Sequence, residues 1–140
     1  MLFRSIWGNI STGCIGADQV ETQVLNLQVT IKTTGRPVII FLVADGANTA
    51  FIGFTDKATP AGGGVYFSVK RDGQLVGEYL CEFSNTGNDF RGYVPASSIR
   101  FLDLATKGNH TYTIYARPYQ PSSSANSVTV KNTKLVAYEL

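Results

Sequence analysis

The chain has 140 residues, of which 44% are hydrophobic and 16% charged, with a formal net charge of +2. A chain of this length buries roughly 70% of its unfolded surface, so it needs neither disulfides nor a metal to fold. The charged fraction lies below the roughly 25% of an average soluble domain, which indicates that part of the surface is covered, most simply by further copies of the chain. No basic run is longer than Lys70-Arg71, which argues against nucleic-acid binding.

The cysteines and the apolar runs exclude further classes of protein. Cys14 and Cys81 are far apart and outside any CxxC pattern, so a disulfide between them stays open and two small apolar side chains are the simpler interpretation. No stretch approaches the roughly 20 apolar residues that a membrane span needs. The N-terminal residues also lack the apolar core of a signal peptide. We therefore expect a soluble protein without membrane insertion.

The first elements in chain order are an irregular segment and a strand. Residues 1–20 contain Trp7, the only tryptophan, and we interpret them as an N-terminal arm or docking segment ahead of a single domain over residues 21–140. In LNLQVTIK, residues 25–32, apolar and polar side chains alternate. That alternation predicts a half-buried strand.

The stretch IKTTGRPVII contains a turn and the start of a second strand. Gly35 adopts a positive φ without steric cost and Pro37 fixes its own φ, so a turn accounts for the segment with Arg36 directed to solvent and without an anion site. Residues 38–43 are apolar throughout. A continuous run of that length predicts a strand covered on both faces, by the core on one side and by a neighbouring subunit on the other.

The rest of the chain indicates more strands and no helix. Asp72-Gly73 is the preferred pair for a type I′ hairpin turn between strands at 65–71 and 74–83. Further strands are expected at 50–55, 99–104 and 110–117, and residues 127–140 form a final strand or a pair of strands. About nine strands at short spacing, with no helical periodicity, predict an all-β sandwich or barrel.

Residue types for catalysis and metal binding are scarce. His110 is the only histidine, and it follows a turn with no GxSxG elbow anywhere in the chain. One histidine and two distant cysteines make no zinc set. Glu78 and Glu82 lie about 13 Å apart along a strand, too far for a glycosidase pair without bending. We therefore expect a non-enzymatic protein without cofactor or metal.

The segment at 84–98 is the best candidate for a binding loop. It combines amides, charges and aromatic rings, a mixture used in carbohydrate sites. The alternative is a loop that packs its rings on the edge of the sandwich. The candidate binding residues are Asn85, Asn88, Asp89, Phe90, Arg91 and Tyr93.

Several stretches together resemble a known family. These are TIKTTGRPVIIFLVADG, the hairpin FSVKRDGQLVGEY, VPASSIRFLDLATKGNHTYTIYAR and the terminal VTVKNTKLVAYEL. They resemble small phage and prophage domains of tail-fibre type, which are similar to the trimeric jelly rolls of the C1q and tumour-necrosis-factor class. The resemblance covers roughly residues 24–140, and its motifs are structural rather than catalytic.

The resemblance implies an antiparallel jelly-roll sandwich that forms a homotrimer on the surface of a phage particle, made in the bacterial host cytoplasm. Its expected role is recognition of a host-surface glycan or protein at a tail-fibre tip, with capsid decoration as the alternative. The N-terminal arm would contact other virion proteins. A depolymerase accessory domain and a host-encoded lectin-like module are further hypotheses. The predicted trimer contacts are Ile40, Leu42, Tyr138 and Leu140.

Overall fold

A computed structural model describes residues 5–12, 21–44, 51–56, 63–83, 90–94, 99–118 and 127–140. Within these ranges the secondary structure is entirely β, and no helix capable of spanning a membrane is found there. The ten strands are β1 (Ser5–Thr12), β2 (Thr22–Thr33), β3 (Val38–Ala44), β4 (Phe51–Asp56), β5 (Gly63–Arg71), β6 (Gln74–Phe83), β7 (Phe90–Val94), β8 (Arg100–Asp103), β9 (Gly108–Pro118) and β10 (Ser127–Glu139).

The strands pair like one long hairpin that has been rolled up. Strand β5 pairs with β6, and the pairs β4–β7, β3–β8, β2–β9 and β1–β10 are nested around that hairpin, all antiparallel. Rolling brings β10 beside both β3 and β4, and β5 beside β9. The result is a first sheet of β1, β10, β3, β4, β7 and β8 and a second sheet in the order β2-β9-β5-β6.

This pairing confirms the predicted antiparallel jelly-roll sandwich. Strands β3 and β4 follow one another along the same side of β10, and β8 and β7 follow one another along β3 and β4. Each of these two couples therefore occupies the place of one long strand. The described residues contain ten strands, where the sequence predicted about nine in the whole chain.

The core lies between the two sheets and is built by alternation along the strands. In β2 the buried residues are Leu27, Val29 and Ile31, on the face that the sequence predicted. Residue Val24 is also buried, because the pairing of β2 with β9 shifts register between Gln23 and Gln28. The opposing sheet contributes the inward residues of β3 and β10, and the core members with no exposed surface include Val38, Ile40, Leu42, Phe67, Val69, Ile99, Tyr112, Ile114 and Leu135.

The predicted subunit contacts at Ile40 and Leu42 are wrong. Both side chains are 0% exposed within a single chain. Because side chains alternate across a strand, they face the second sheet and fill the core of their own sandwich. An aspartate at either position would unfold the chain rather than separate subunits.

The two predicted turns have the expected backbone geometry. At the β5–β6 hairpin, φ is 50° for Asp72 and 84° for Gly73, which matches a type I′ turn with positive φ at both central residues. In the β2–β3 turn, Gly35 has a φ of 99°. Glycine accommodates that value without steric cost.

Two segments are more regular than the sequence indicated. The stretch 84–98 was predicted to be a loop, but Phe90–Val94 forms β7 and pairs with β4. This strand covers one side of β4 that would otherwise be an unpaired edge. Near the N-terminus, Ser5–Thr12 pairs with β10 along almost its whole length, so this part of the predicted arm is a strand of the first sheet.

A polar link joins the two sheets at Asp103. One carboxylate oxygen, Oδ2, accepts hydrogen bonds from Arg71 Nη1 at 2.6 Å and from the Tyr112 hydroxyl at 2.8 Å. Tyr112 is fully buried, and burial together with the bond to Asp103 raises the pKa of its hydroxyl. Tyr112 therefore stays a neutral donor to the carboxylate at ordinary pH.

We expect Tyr112→Phe to lower the free energy of unfolding by about 1–2 kcal/mol, because a buried hydrogen bond to a charged group is lost. Tyr115→Phe is the matched control: it makes the same change on the same strand, but on the outer face of the sheet. Its expected effect is less than about 0.5 kcal/mol. Urea unfolding of both variants measures the difference, and equal losses would show that Tyr112 contributes nothing through its hydroxyl.

Candidate functional site

The outward side of the first sheet is mostly apolar across three strands, with Arg100 opposite Phe41 and Lys134 opposite Val43 as its cations in the described ranges. Register places Leu102 of β8, Ile39 of β3 and Tyr138 of β10 in one row, and Phe41 beside Val136 in the next. We call this surface the apolar outer face. Its members are Ile39, Phe41, Val43, Leu102, Val136 and Tyr138, with Leu104 and Leu140 at the strand ends.

Exposure on this face is concentrated rather than scattered. Leu102, Leu104 and Leu140 are 61%, 76% and 48% exposed, and the other large exposed apolar side chain in the described ranges is Leu75. A single exposed leucine is ordinary on a protein surface. Several that adjoin further partly exposed apolar residues on one sheet face are typical of an interaction surface.

The outward side of the second sheet has the opposite character. Lys70 contacts Glu21 in an ion pair and lies 4.3 Å from the centre of the Tyr115 ring. Arg117 lies 3.9 Å from the centre of the Tyr66 ring and 3.1 Å from a carboxylate oxygen of Glu78. Charges and rings on this face already interact with one another, so the surface is suited to water.

A groove of about 540 Å³ opens at the end of the sandwich, where β2 and β10 end and β3 begins. We call it the end groove. Its walls are Ile31, Lys32, Thr33, Thr34, Arg36, Lys107, Tyr138, Glu139 and Leu140.

Glu139 fixes the turn that forms one wall of this groove. Its Oε1 accepts hydrogen bonds from the backbone N–H of Thr34 at 2.6 Å, from the backbone N–H of Arg36 at 3.1 Å and from the Thr34 hydroxyl at 3.1 Å. Thr33 donates its hydroxyl to the carbonyl of Thr106 at 2.6 Å, which ties the turn to the segment between β8 and β9. The groove is thus held by hydrogen bonds between distant parts of the chain.

The predicted site residues are only partly brought together. Tyr138 and Leu140 lie on the apolar outer face and also line the end groove. Phe90, Arg91 and Tyr93 are in β7, whereas Asn85, Asn88 and Asp89 lie outside the described residues. Their role in binding stays a prediction.

The sequence reasoning missed Lys32 and Lys107 as companions of Arg36. All three side chains are exposed and line the end groove. The pairing of β2 with β9 places Lys32 opposite Asn109. The β2–β3 turn also approaches the backbone at Lys107, since a Cβ on Gly35 would lie 3.6 Å from the backbone nitrogen of Lys107. The only sequence signal for this cluster of cations is that the turns KTTGR and TKGN both contain basic residues. Nothing in the sequence indicates that the two turns lie close together.

The groups considered for catalysis are engaged elsewhere or inert. His110 contacts Asp72 Oδ2 through Nδ1 at 2.7 Å and the Thr106 carbonyl through Nε2 at 2.8 Å, so both ring nitrogens have partners. Cys81 is a buried free thiol, and burial raises its pKa to about 11. Among the described residues, no group of three or more His, Cys, Asp or Glu could hold a metal ion.

Comparison with known proteins gives only distant likeness. No protein family and no curated protein matches the sequence. Solved structures that are similar include infectious bursal disease virus Gx strain (13% identity, TM-score 0.45, 99% of this chain and 37% of that one). Others are a family 35 carbohydrate-binding module from Clostridium thermocellum (15% identity, TM-score 0.32, 99% and 92%) and dimeric latent PorU from Porphyromonas gingivalis (12% identity, TM-score 0.39, 96% and 12%). The chain thus spans about a third of the viral chain, and likeness this distant says nothing about activity.

The His110–Asp72 contact predicts a pH-dependent stability. The hydrogen bond to Asp72 is the main cause that raises the His110 pKa above 6.5. The contact therefore stabilises the fold fully below pH 6.5, and this stabilisation is lost as the pH rises through the pKa of His110 in the folded chain. The Asp72 pKa is lowered below 3.8, so the carboxylate is still charged throughout that range.

We expect the urea midpoint to fall between pH 6 and pH 8.5, by an amount equivalent to less than about 1 kcal/mol for this partly exposed pair. Asp72→Asn is the control, because asparagine tolerates the positive φ of the turn but lacks the charge. The variant should lose most of the dependence over that range. If it keeps the full dependence, the contact with Asp72 does not raise the pKa of His110.

Proposed function

We propose that the chain is a non-enzymatic structural protein of a phage virion. In this proposal it forms a homotrimer through its apolar outer face and contacts the host surface at a tail-fibre tip through loops at the sandwich ends. The observation that carries the proposal is the apolar outer face itself. The outer side of one sheet is mostly apolar, while the outer side of the other is occupied by ion pairs and cation–ring contacts.

A second copy of the chain is the occupant that best fits this face. Apolar side chains offer few directional hydrogen bonds, so the covering surface should be apolar as well, and in the described ranges this face is the place where large apolar side chains cluster in the open. The low charged fraction of 16% agrees with a surface that is partly covered. In a closed threefold ring each contact is heterologous, so one part of the apolar outer face would meet a different part of the neighbouring chain. The number of three copies comes from the resemblance to trimeric jelly rolls.

Assembly on the apolar outer face would leave the polar face and the sandwich ends in water. Segments that connect strands are the parts of a rigid scaffold on which binding residues most often lie. The connection between β6 and β8 contains the candidate residues Asn85 to Tyr93, which support recognition of a glycan or protein on the host.

Capsid decoration is the second candidate, and strand β1 favours it. Ser5–Thr12 pairs with β10 on one side, and no strand pairs with its other side in the described part of the chain. An edge strand offers backbone groups to which a strand of another virion protein can add. Such a contact would anchor the same trimer to a shell.

We expect the unchanged protein to sediment as a trimer and Leu102→Asp to weaken the trimer at least about thirtyfold, because a carboxylate would be buried among apolar groups at a cost of about 2 kcal/mol or more. Leu75→Asp is the matched control: Leu75 is 58% exposed, against 61% for Leu102, but lies on the second sheet. The trimer of this variant should be as stable as that of the unchanged protein. Ile39→Asp, nearer the middle of the face, is a second variant that should weaken the trimer.

Analytical ultracentrifugation, with circular dichroism to confirm folding, measures these effects. A wild-type protein that is monomeric at micromolar concentration would overturn the proposed assembly. So would a trimer that survives both Leu102→Asp and Ile39→Asp.

Host recognition is tested with the combined variant Asp89→Ala, Arg91→Ala and Tyr93→Ala. We expect its melting temperature to change by less than a few degrees and its binding to host cells to fall at least tenfold, because the proposal assigns these residues to the host contact rather than to the core. Binding is measured with labelled protein on cells. Unaltered cell binding, together with association of the protein with assembled heads, would favour capsid decoration instead.

A further inference from the structure

The end groove combines positive charge on one side with an apolar surface on the other. Lys32, Arg36 and Lys107 contribute the charge, and all three side chains are exposed. Tyr138 and Leu140 contribute a ring and an aliphatic side chain. Its volume of about 540 Å³ is within the range of about 300–1,000 Å³ typical of small-ligand sites.

The groove lining carries three cationic side chains and one acidic side chain, so positive charge is in excess there. The four salt bridges between described residues involve Lys70, Arg71, His110 and Arg117, and none involves a lysine or arginine of the groove. Glu139 is the acidic side chain in the lining, and its Oε1 already accepts three hydrogen bonds from Thr34 and Arg36.

The hydrogen bonds that hold the turn use the backbone of Arg36 and not its guanidinium. Glu139 binds the Arg36 backbone N–H at 3.1 Å, and the side chain is exposed. A guanidinium offers paired donors that match the two oxygens of a carboxylate or phosphate. Ammonium groups from Lys32 and Lys107 would add charge without demanding a fixed geometry.

The apolar side limits the ligand to one with both a charge and a hydrophobic surface. Tyr138 and Leu140 suit the apolar face of a sugar ring, while the cations suit an acidic substituent on it. The groove is at one end of the sandwich and three cations are too few for the extended track of a nucleic acid. Tyr138 and Leu140 belong to both the apolar outer face and the groove lining. In a trimer, a neighbouring subunit would therefore form the apolar wall of the groove together with them and leave the cationic side open.

We infer that the end groove binds a short acidic saccharide, with Arg36, Lys32 and Lys107 contacting its oxyanion and Tyr138 its ring. This inference rests on the proposed role in host-surface recognition for its choice of a saccharide. It places a binding site at the β2–β3 turn, apart from the segment between β6 and β8 that the sequence indicated. The oxyanion is either the carboxylate of a uronic acid or a phosphate ester.

Isothermal titration of the full chain with trigalacturonate, a phosphorylated oligosaccharide and a neutral trisaccharide of equal length tests the inference. We expect one or both acidic ligands to bind and the neutral one to bind at least tenfold more weakly. Arg36→Gln and Lys107→Gln should each weaken binding about five- to tenfold, the effect of one exposed charged contact. Arg117→Gln is the control, because it removes one positive charge from the outward side of the second sheet, away from both the groove lining and the apolar outer face.

The outcomes separate the groove from the proposed assembly. No binding of either acidic ligand would overturn the inference. Equal weakening by Arg36→Gln and Arg117→Gln would also overturn it, because it would show a diffuse charge effect. Sedimentation of the same samples reports the oligomeric state independently. A monomer that still binds the acidic ligand through Arg36 would overturn the proposed assembly and keep the groove, and a trimer that binds neither acidic ligand would do the reverse.

Discussion

The pairing of β10 with strands on both of its sides is the constraint on which the molecule depends. On one side β10 pairs with β1, and on the other it pairs with β3 and then β4. This arrangement makes β3 an inner strand, with β10 and β8 as its neighbours. An inner strand that is apolar at every position contributes one set of side chains to the core and leaves the alternate set on the outside. The apolar outer face therefore follows from the same strand that completes the core.

The outward faces of the two sheets differ in polarity. The second sheet places charged and aromatic side chains where they satisfy one another, as Arg117 does with Tyr66 and Glu78. In the described ranges the outward side of the first sheet carries mostly apolar side chains, with Arg100 and Lys134 beside them. This difference between the two outward faces is the reason why we propose the first sheet, and not the second, as the side at which copies of the chain associate.

The fold was readable from the sequence wherever the pattern had a period or a turn signal. The alternation in β2 and the Asp72-Gly73 turn were both predicted correctly, because period-two patterning and positive φ each have a specific residue signature. The run at 38–43 has no period, so it predicts a strand but not which side chains face the core. That is why Ile40 and Leu42 were assigned to the wrong surface. The short strand β7 was missed because its five residues lie within a polar stretch, and its partner β4 is distant in sequence.

The end groove could not be predicted from the sequence, because its residues are also distant from one another along the chain. Lys32 and Arg36 are separated from Lys107 by more than half of the chain, and only the β2–β9 pairing brings their two turns to one end of the sandwich. The turn at Gly35 was explained correctly as architecture, since Glu139 holds its backbone amides. Architecture and chemistry are nevertheless not alternatives here. Because Glu139 binds the backbone amides of the turn, the exposed side chain of Arg36 is not needed to hold the turn together. Arg36 can therefore be explained by architecture and still be the residue through which we propose that the groove contacts a ligand.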